Sequence, residues 1–101
     1  MSGTGLDPAP GAVLPLSGRL VFDSVPAVWT TINPALAAQD RIRVDLGDVQ
    51  EIDSAGLAMI VDWIAQAECL GKQLILLRSP AKLRALARIG DLEGLLDRVA
   101  G

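Results

Sequence analysis

The stretch from Ile42 to Leu77 constrains this chain most. Ile42, Val44 and Leu46 alternate with Arg43 and Asp45, the pattern of a strand with one apolar face. A turn built on Asp53-Ser54-Ala55-Gly56-Leu57 follows. A helix then runs from about Ala55 to Leu70 and ends before Gly71, a residue suited to closing a helix. Leu74, Ile75, Leu76 and Leu77 form an unbroken aliphatic run, which suits a strand buried on both faces. Strands alternating with helices point to an α/β domain with a mainly parallel sheet.

The flanking segments fit around that unit. Residues 1 to 11 are rich in Gly, Pro, Ser and Thr and read as a disordered tail, leaving residues 12 to 101 as one domain. Ala12 to Leu16 reads as a short strand, placed at a sheet edge by Pro15. Ser17-Gly18 is a turn signal, and Arg19 to Phe22 completes an expected hairpin. Asp23 and Ser24 are capping residues ahead of Pro26. Val25, Val28, Trp29, Ile32 and Leu36 then recur at helical spacing. Pro34 either ends that helix near Asn33 or kinks it; the stripe through Leu36 favours continuation to Ala38. Ser79 and Pro80 open a third helix that Gly90 stops, and Leu92, Leu95 and Leu96 mark a short fourth.

Composition removes several function classes. The 101 residues carry a net charge of −3, which argues against nucleic acid as a partner. There is no histidine and one cysteine, so a Ser-His-Asp triad, an internal disulfide and a structural zinc site are all unexpected. Cys69 reads as incidental. The uncharged run from Ser24 to Gln39 contains two prolines and polar residues, so no spanning helix is expected. The N-terminus lacks a basic-then-apolar pattern, so no signal peptide is expected and the default compartment is the cytoplasm. Gly71-Lys72 is followed by Gln73 and has no glycine five positions before it, so a phosphate-cradling P-loop is absent. Asp45, Asp48, Glu51 and Asp53 could approach one another at a strand end. They read as solvated and capping carboxylates rather than as a magnesium site. No cofactor or metal is expected.

The turn at Asp53 has a plain chemistry. Asp53 can accept N–H bonds at the start of the helix, Gly56 permits a close backbone approach, and Ser54 presents a hydroxyl near a helix N-terminus. A phosphate on Ser54 would be electrostatically tolerated there. Spacing alone favours Asp53-Ser54 as only a capping pair.

Asp53-Ser54-Ala55-Gly56-Leu57, preceded by Arg43-Val44-Asp45-Leu46 and Val49, resembles the signature of STAS domains. Leu16-Ser17-Gly18-Arg19-Leu20, Leu74 to Leu77 and Pro80 to Ile89 match as well, so the resemblance covers roughly residues 12 to 97. It implies a mixed, mainly parallel four-stranded sheet with helices mostly on one face and the Ser54 hydroxyl at the start of the second helix. Within the family, the minimal length and the runs Leu57 to Trp63 and Leu83 to Arg88 resemble the small cytoplasmic subunits of phospholipid-moving ABC transporters. Such subunits are not enzymes. The resemblance implies that the chain binds the transporter's ATPase subunit and reaches the inner membrane only through it. The alternative is an anti-sigma factor antagonist, in which the serine matching Ser54 is phosphorylated by a partner kinase. A third reading is a small-ligand or nucleotide-binding STAS domain.

The second helix can also be read on its own. Leu57, Ile60, Val61 and Ile64 make a core stripe, and Met59 and Trp63 fall on roughly the opposite side. A helix apolar on two sides is either doubly buried or presents a contact patch. The expected partner surface is therefore Asp53, Ser54, Gly56, Met59 and Trp63, the alternative being that Trp63 folds onto the core edge. Such a face would also allow a weak homodimer. Trp29 reads as core. Lys82, Arg84 and Arg88 read as a solvated basic face.

Overall fold

The computed structural model describes residues 12–101. The expected tail at residues 1–11 lies outside them. The order is β1 (Ala12–Leu20), α1 (Val25–Ala38), β2 (Arg41–Ile52), α2 (Ser54–Cys69), β3 (Gln73–Leu77), α3 (Ala81–Ile89) and α4 (Glu93–Arg98).

Among the described residues the sheet has three strands in the order β1-β2-β3, and both pairings are parallel. The expected α/β class and mainly parallel sheet hold, but among the described residues there are three strands rather than four and no antiparallel pair. The expected hairpin is absent, because Ser17-Gly18 does not reverse the chain. Gly18 has φ +78°, a left-handed conformation open to glycine, and sits beside a register shift between Gly18 and Arg19. The left-handed residue is thus spent on an irregularity inside one continuous strand. A second shift follows Pro15, which supplies no backbone donor.

β2 is longer than its alternating pattern. Arg41 to Asp45 pair with β3, while Asp48 to Ile52 pair only with the second half of β1. That half of β2 is largely exposed, and Arg19 donates to Glu51 across it at 2.7 Å. β2 thereby delivers Ile52 and Asp53 past the end of β3.

The core is aliphatic. Leu20, Ile42, Val44, Leu46, Ile52, Leu74 and Leu76 from the strands meet Ile32, Ile60, Trp63, Ile64, Leu83 and Leu96 from the helices in one cluster. Each large side chain sealed there stabilises the fold by about 1.5–3 kcal/mol relative to exposure. α1 continues through the exposed Pro34 to Ala38, and the placement of the Leu36 side chain lies outside the described residues. Ser24 sits at the cap position of α1 without capping it. Its hydroxyl accepts from the Val21 N–H at 3.0 Å and lies within reach of the Arg19 carbonyl, so it braces the β1–α1 turn instead. Gly71, with φ +69°, closes α2 as expected. Pro80 is itself the cap residue of α3 rather than its first helical residue.

No helix among the described residues is long and apolar enough to cross a membrane.

Candidate functional site

The site is assembled where the ends of β1 and β2 meet the start of α2. Asp53 is its fastener. Its Oδ1 accepts from the N–H groups of Ala55 at 2.9 Å and Gly56 at 3.1 Å, which would otherwise lack partners in the first turn of α2. Its Oδ2 accepts from the Phe22 N–H at 3.1 Å, and its own N–H donates to the Leu20 carbonyl at 3.2 Å. One residue thus ties the exit of β1 to the entry of α2. Partial burial pushes the Asp53 carboxyl up, but the N–H donors of Phe22, Gly56 and Ala55, with the charge of Lys82, outweigh it and hold the carboxyl below the ordinary carboxylate range. Asp53 is therefore a fixed anion, with both oxygens occupied and no proton to give.

Gly56 has a structural job too. A Cβ at Gly56 would lie 2.2 Å from the Leu20 carbonyl oxygen and 2.8 Å from Ile52 Cγ1. The backbone that approaches so closely is the chain's own, and Gly56 is buried.

Ser54 is different. It is the first residue of α2, it is exposed, and its hydroxyl makes no hydrogen bond among the described residues.

Beside this turn the first halves of α1 and α2 diverge into a groove of about 620 Å³. Val25, Pro26, Trp29, Ala55, Ala58 and Met59 make it apolar, Asp23 and Asp62 stand at it, and Phe22 borders it with 75 % of its surface exposed. Ala55, the residue after Ser54, lines the groove, so the start of α2 borders it. The outer face of α1 continues the uncharged surface. Thr30 and Thr31 turn their hydroxyls back to the carbonyls of Pro26 and Ala27, at 2.9 and 3.2 Å, which leaves their methyl groups as the outward chemistry.

The expected site residues divide accordingly. Asp53, Ser54 and Gly56 come together, but only Ser54 offers an unoccupied group to a partner. Met59 and Trp63 do not form an exposed patch. Met59 is 2 % exposed at the floor of the groove, and Trp63 is 0 % exposed within the core. The reason is that α2 is covered by α1 and α3 as well as by the sheet, so its buried sector is wide enough to take in Leu57, Ile60 and Ile64 together with Met59, Trp63 and Ala67. The two apolar sides of α2 mean double burial. The Trp63 indole N–H has no acceptor among the described residues.

In the sequence Phe22 reads as a strand end, Pro26 as a helix opener and Trp29 as core; Trp29 is half-buried against the core, but the sequence reading does not foresee that all three line a groove. The signal for them was a helix with no charged residue anywhere from Val25 to Ala38, although half of its residues face water.

The remaining carboxylates are dispersed in separate jobs. Asp45 accepts from Arg78 Nε at 2.9 Å and Nη2 at 2.8 Å and from the Gly47 N–H at 2.9 Å; these bonds, the Arg78 one foremost, hold its carboxyl below the ordinary range. Glu51 is held by Arg19. No cluster of three metal-ligating residues occurs among the described residues.

A parallel sheet under helices, with a capped Asp-Ser turn opening α2, agrees with the STAS fold in all but the number of described strands. The chain belongs to the STAS-domain family described as "Mlab, STAS domain", whose model matches residues 6–97. It is 35 % identical over 89 residues to the intermembrane phospholipid transport system binding protein MlaB of Haemophilus influenzae, covering 84 % of this chain and 82 % of that protein. Solved structures share the fold at low identity. The unphosphorylated anti-sigma factor antagonist SpoIIAA superposes with a TM-score of 0.68 at 20 % identity, covering 88 % of this chain and 76 % of that one. A sulfate transporter family protein from Wolinella succinogenes gives 0.72 at 15 % identity, covering 95 % and 80 %.

Proposed function

We propose that this chain is a non-catalytic subunit of a phospholipid-transporting ABC complex that maintains outer-membrane lipid asymmetry. It docks on an MlaF-like ATPase subunit, and through that partner it works at the inner face of the inner membrane. The phospholipid-transport part of this reading is supported by the similarity to MlaB of Haemophilus influenzae. The docking part rests on one observation: an apolar groove, bordered by the exposed Phe22, opens between α1 and α2 at the residue that follows Ser54. Exposed aromatic residues around an apolar floor are the usual anchors of a protein interface. Within the turn Asp53 is locked onto backbone donors, and the Ser54 hydroxyl makes no hydrogen bond among the described residues.

Affinity purification of the tagged chain with mass spectrometry tests the reading. An ABC ATPase should co-purify with the wild type and be lost or strongly reduced with Trp29→Ala and with Ser54→Glu. Equal recovery from all three forms would remove the groove and Ser54 from the interface.

The antagonist reading is kept by a separate observation, the free Ser54 hydroxyl at a helix N-terminus in a fold shared with SpoIIAA. Recovery of a protein kinase, with phosphate on Ser54, would replace the transporter reading by that one.

A further inference from the structure

The groove between α1 and α2 is apolar at its floor and acidic at its rim. Of the residues that line it, Asp23 and Asp62 are the charged ones, and none is basic. Asp23 is exposed and has no hydrogen-bond or ion-pair partner among the described residues. Asp62 is half-buried, and its Oδ2 accepts only a neutral donor, the Gln66 amide. No basic side chain among the described residues forms an ion pair with either carboxylate. Arg19, whose charge reaches Asp23, is held by Glu51 at 2.7 Å. Arg78, Arg84, Arg88 and Arg98 are paired with Asp45, Asp97, Glu93 and Glu68.

A protein seated in the groove covers the floor and takes water from both carboxylates. Burying an anion without a counter-charge is costly, and complementary charge removes that cost and steers encounter. A second copy of this chain docked groove to groove would bring four carboxylates and no lining cation to one interface. An anionic membrane surface would be repelled for the same reason.

Resting on the docking reading above, we propose that the occupant is a segment of the partner protein that puts an apolar side chain against Trp29 and Met59 and carries flanking lysine or arginine residues that meet Asp23 and Asp62. Specificity for the partner then has two separable parts, an apolar anchor and an acidic clasp.

The test uses the full chain and the purified ATPase subunit of the transporter as probe, with affinity measured at low and high salt. Asp23→Asn with Asp62→Asn removes both charges while keeping an oxygen able to accept from Gln66. It should weaken binding about tenfold at low salt, and less at high salt as screening removes the term. Lysine at both positions should weaken it further. Trp29→Ala should weaken binding at every salt concentration. Unchanged affinity in the Asn and Lys variants, with Trp29→Ala still impaired, overturns the acidic clasp and leaves the docking site standing. Unchanged affinity with Trp29→Ala, or no binding by the wild type, overturns the docking reading and the clasp with it. A dimer of this chain that strengthens when the two carboxylates are neutralised overturns the clasp in favour of self-association. Melting curves guard against misfolding, and Asp23→Asn alone, at an exposed residue with no partner, keeps the test open if the double variant is unstable.

Discussion

Two exposed helical surfaces of this domain have opposite character. On α3 and α4 the charges answer one another. Arg84 meets Asp97 at 3.3 Å, Arg88 meets Glu93 at 3.3 Å, and Arg98 reaches Glu68 on α2 at 3.1 Å. The face that looked basic in the sequence is therefore largely neutralised within the chain, with Lys82 left near Asp53. Around the α1–α2 groove neither carboxylate has an ion-pair partner among the described residues. The floor is apolar, Phe22 stands in solvent, and Ser54 and Asp23 have no partners among the described residues. A conspicuous run of charge can be spent internally. A surface whose chemistry is left open is the better guide to a partner.

The sharpest challenge to this contrast lies beneath the groove rather than on it. Trp63→Ala should cost about 3–5 kcal/mol, enough to unfold much of the population in a denaturant titration. Loss of partner binding by that variant would then report unfolding and not a contact. Trp63→Phe keeps most of the volume and removes the orphaned indole N–H, and should stay well within that range. If Trp63→Ala melted like the wild type, double burial of α2 would be wrong.

Next in size is Gly56→Ala. The new methyl meets backbone, the Leu20 carbonyl, so the end of β1 must move away from α2 at about 1–3 kcal/mol. A wild-type midpoint in urea would show that this close approach is not required.

Phe22→Ser should do the reverse. Folding should change by no more than about 0.5 kcal/mol, as for an exposed residue, while binding to the ATPase partner weakens about tenfold, as for an interface anchor. Unchanged binding in a surface plasmon resonance titration would break the contrast at its centre.

Acid should act on the fastener. The folded carboxyl of Asp53 lies below its unfolded value. Its contribution is therefore fully present above the unfolded value and is lost as pH falls through the depressed folded one. Asp45, held by Arg78, acts in the same direction. Stability measured from neutral pH down into the acid range should decline, and Asp53→Asn should flatten that decline. An Asn variant with the wild-type acid limb would show that the carboxylate is not what ties β1 to α2.

The smallest effect belongs to the self-neutralised face. Arg88→Ala should change stability by no more than about 0.5 kcal/mol, since the pair with Glu93 is exposed. It should leave partner affinity unchanged. A large loss of affinity would mean that this face, too, is an interface.

Much of the scaffold was legible because it depends on local periodicity. The alternation through Val44, the capped turn at Asp53, the glycine after α2 and the aliphatic run of β3 each announce an element within a few residues. Pro34 was readable as an interruption that α1 survives. The misreadings that matter for the site depend on what lies across the fold. Gly18 has the same left-handed backbone whether it reverses a chain or absorbs a register shift, and only the pairing of β1 with β2 distinguishes them. Helical spacing placed Met59 and Trp63 on a second apolar side of α2, but it could not say whether α1 or solvent covered that side.

The sequence by itself therefore determined most of the elements, the α/β class and the position of a hydroxyl at the head of α2, since these follow from propensity, period and capping. The tertiary structure alone decided which of those side chains face outward. It withdrew Gly56, Met59 and Trp63 into the packing and occupied both oxygens of Asp53. It also exposed Phe22 and opened a groove between two helices 16 residues apart in the chain, from Ala38 at the end of one to Ser54 at the start of the other. Burial is set by the neighbours that a fold supplies, and neighbours distant in sequence leave no local pattern to read.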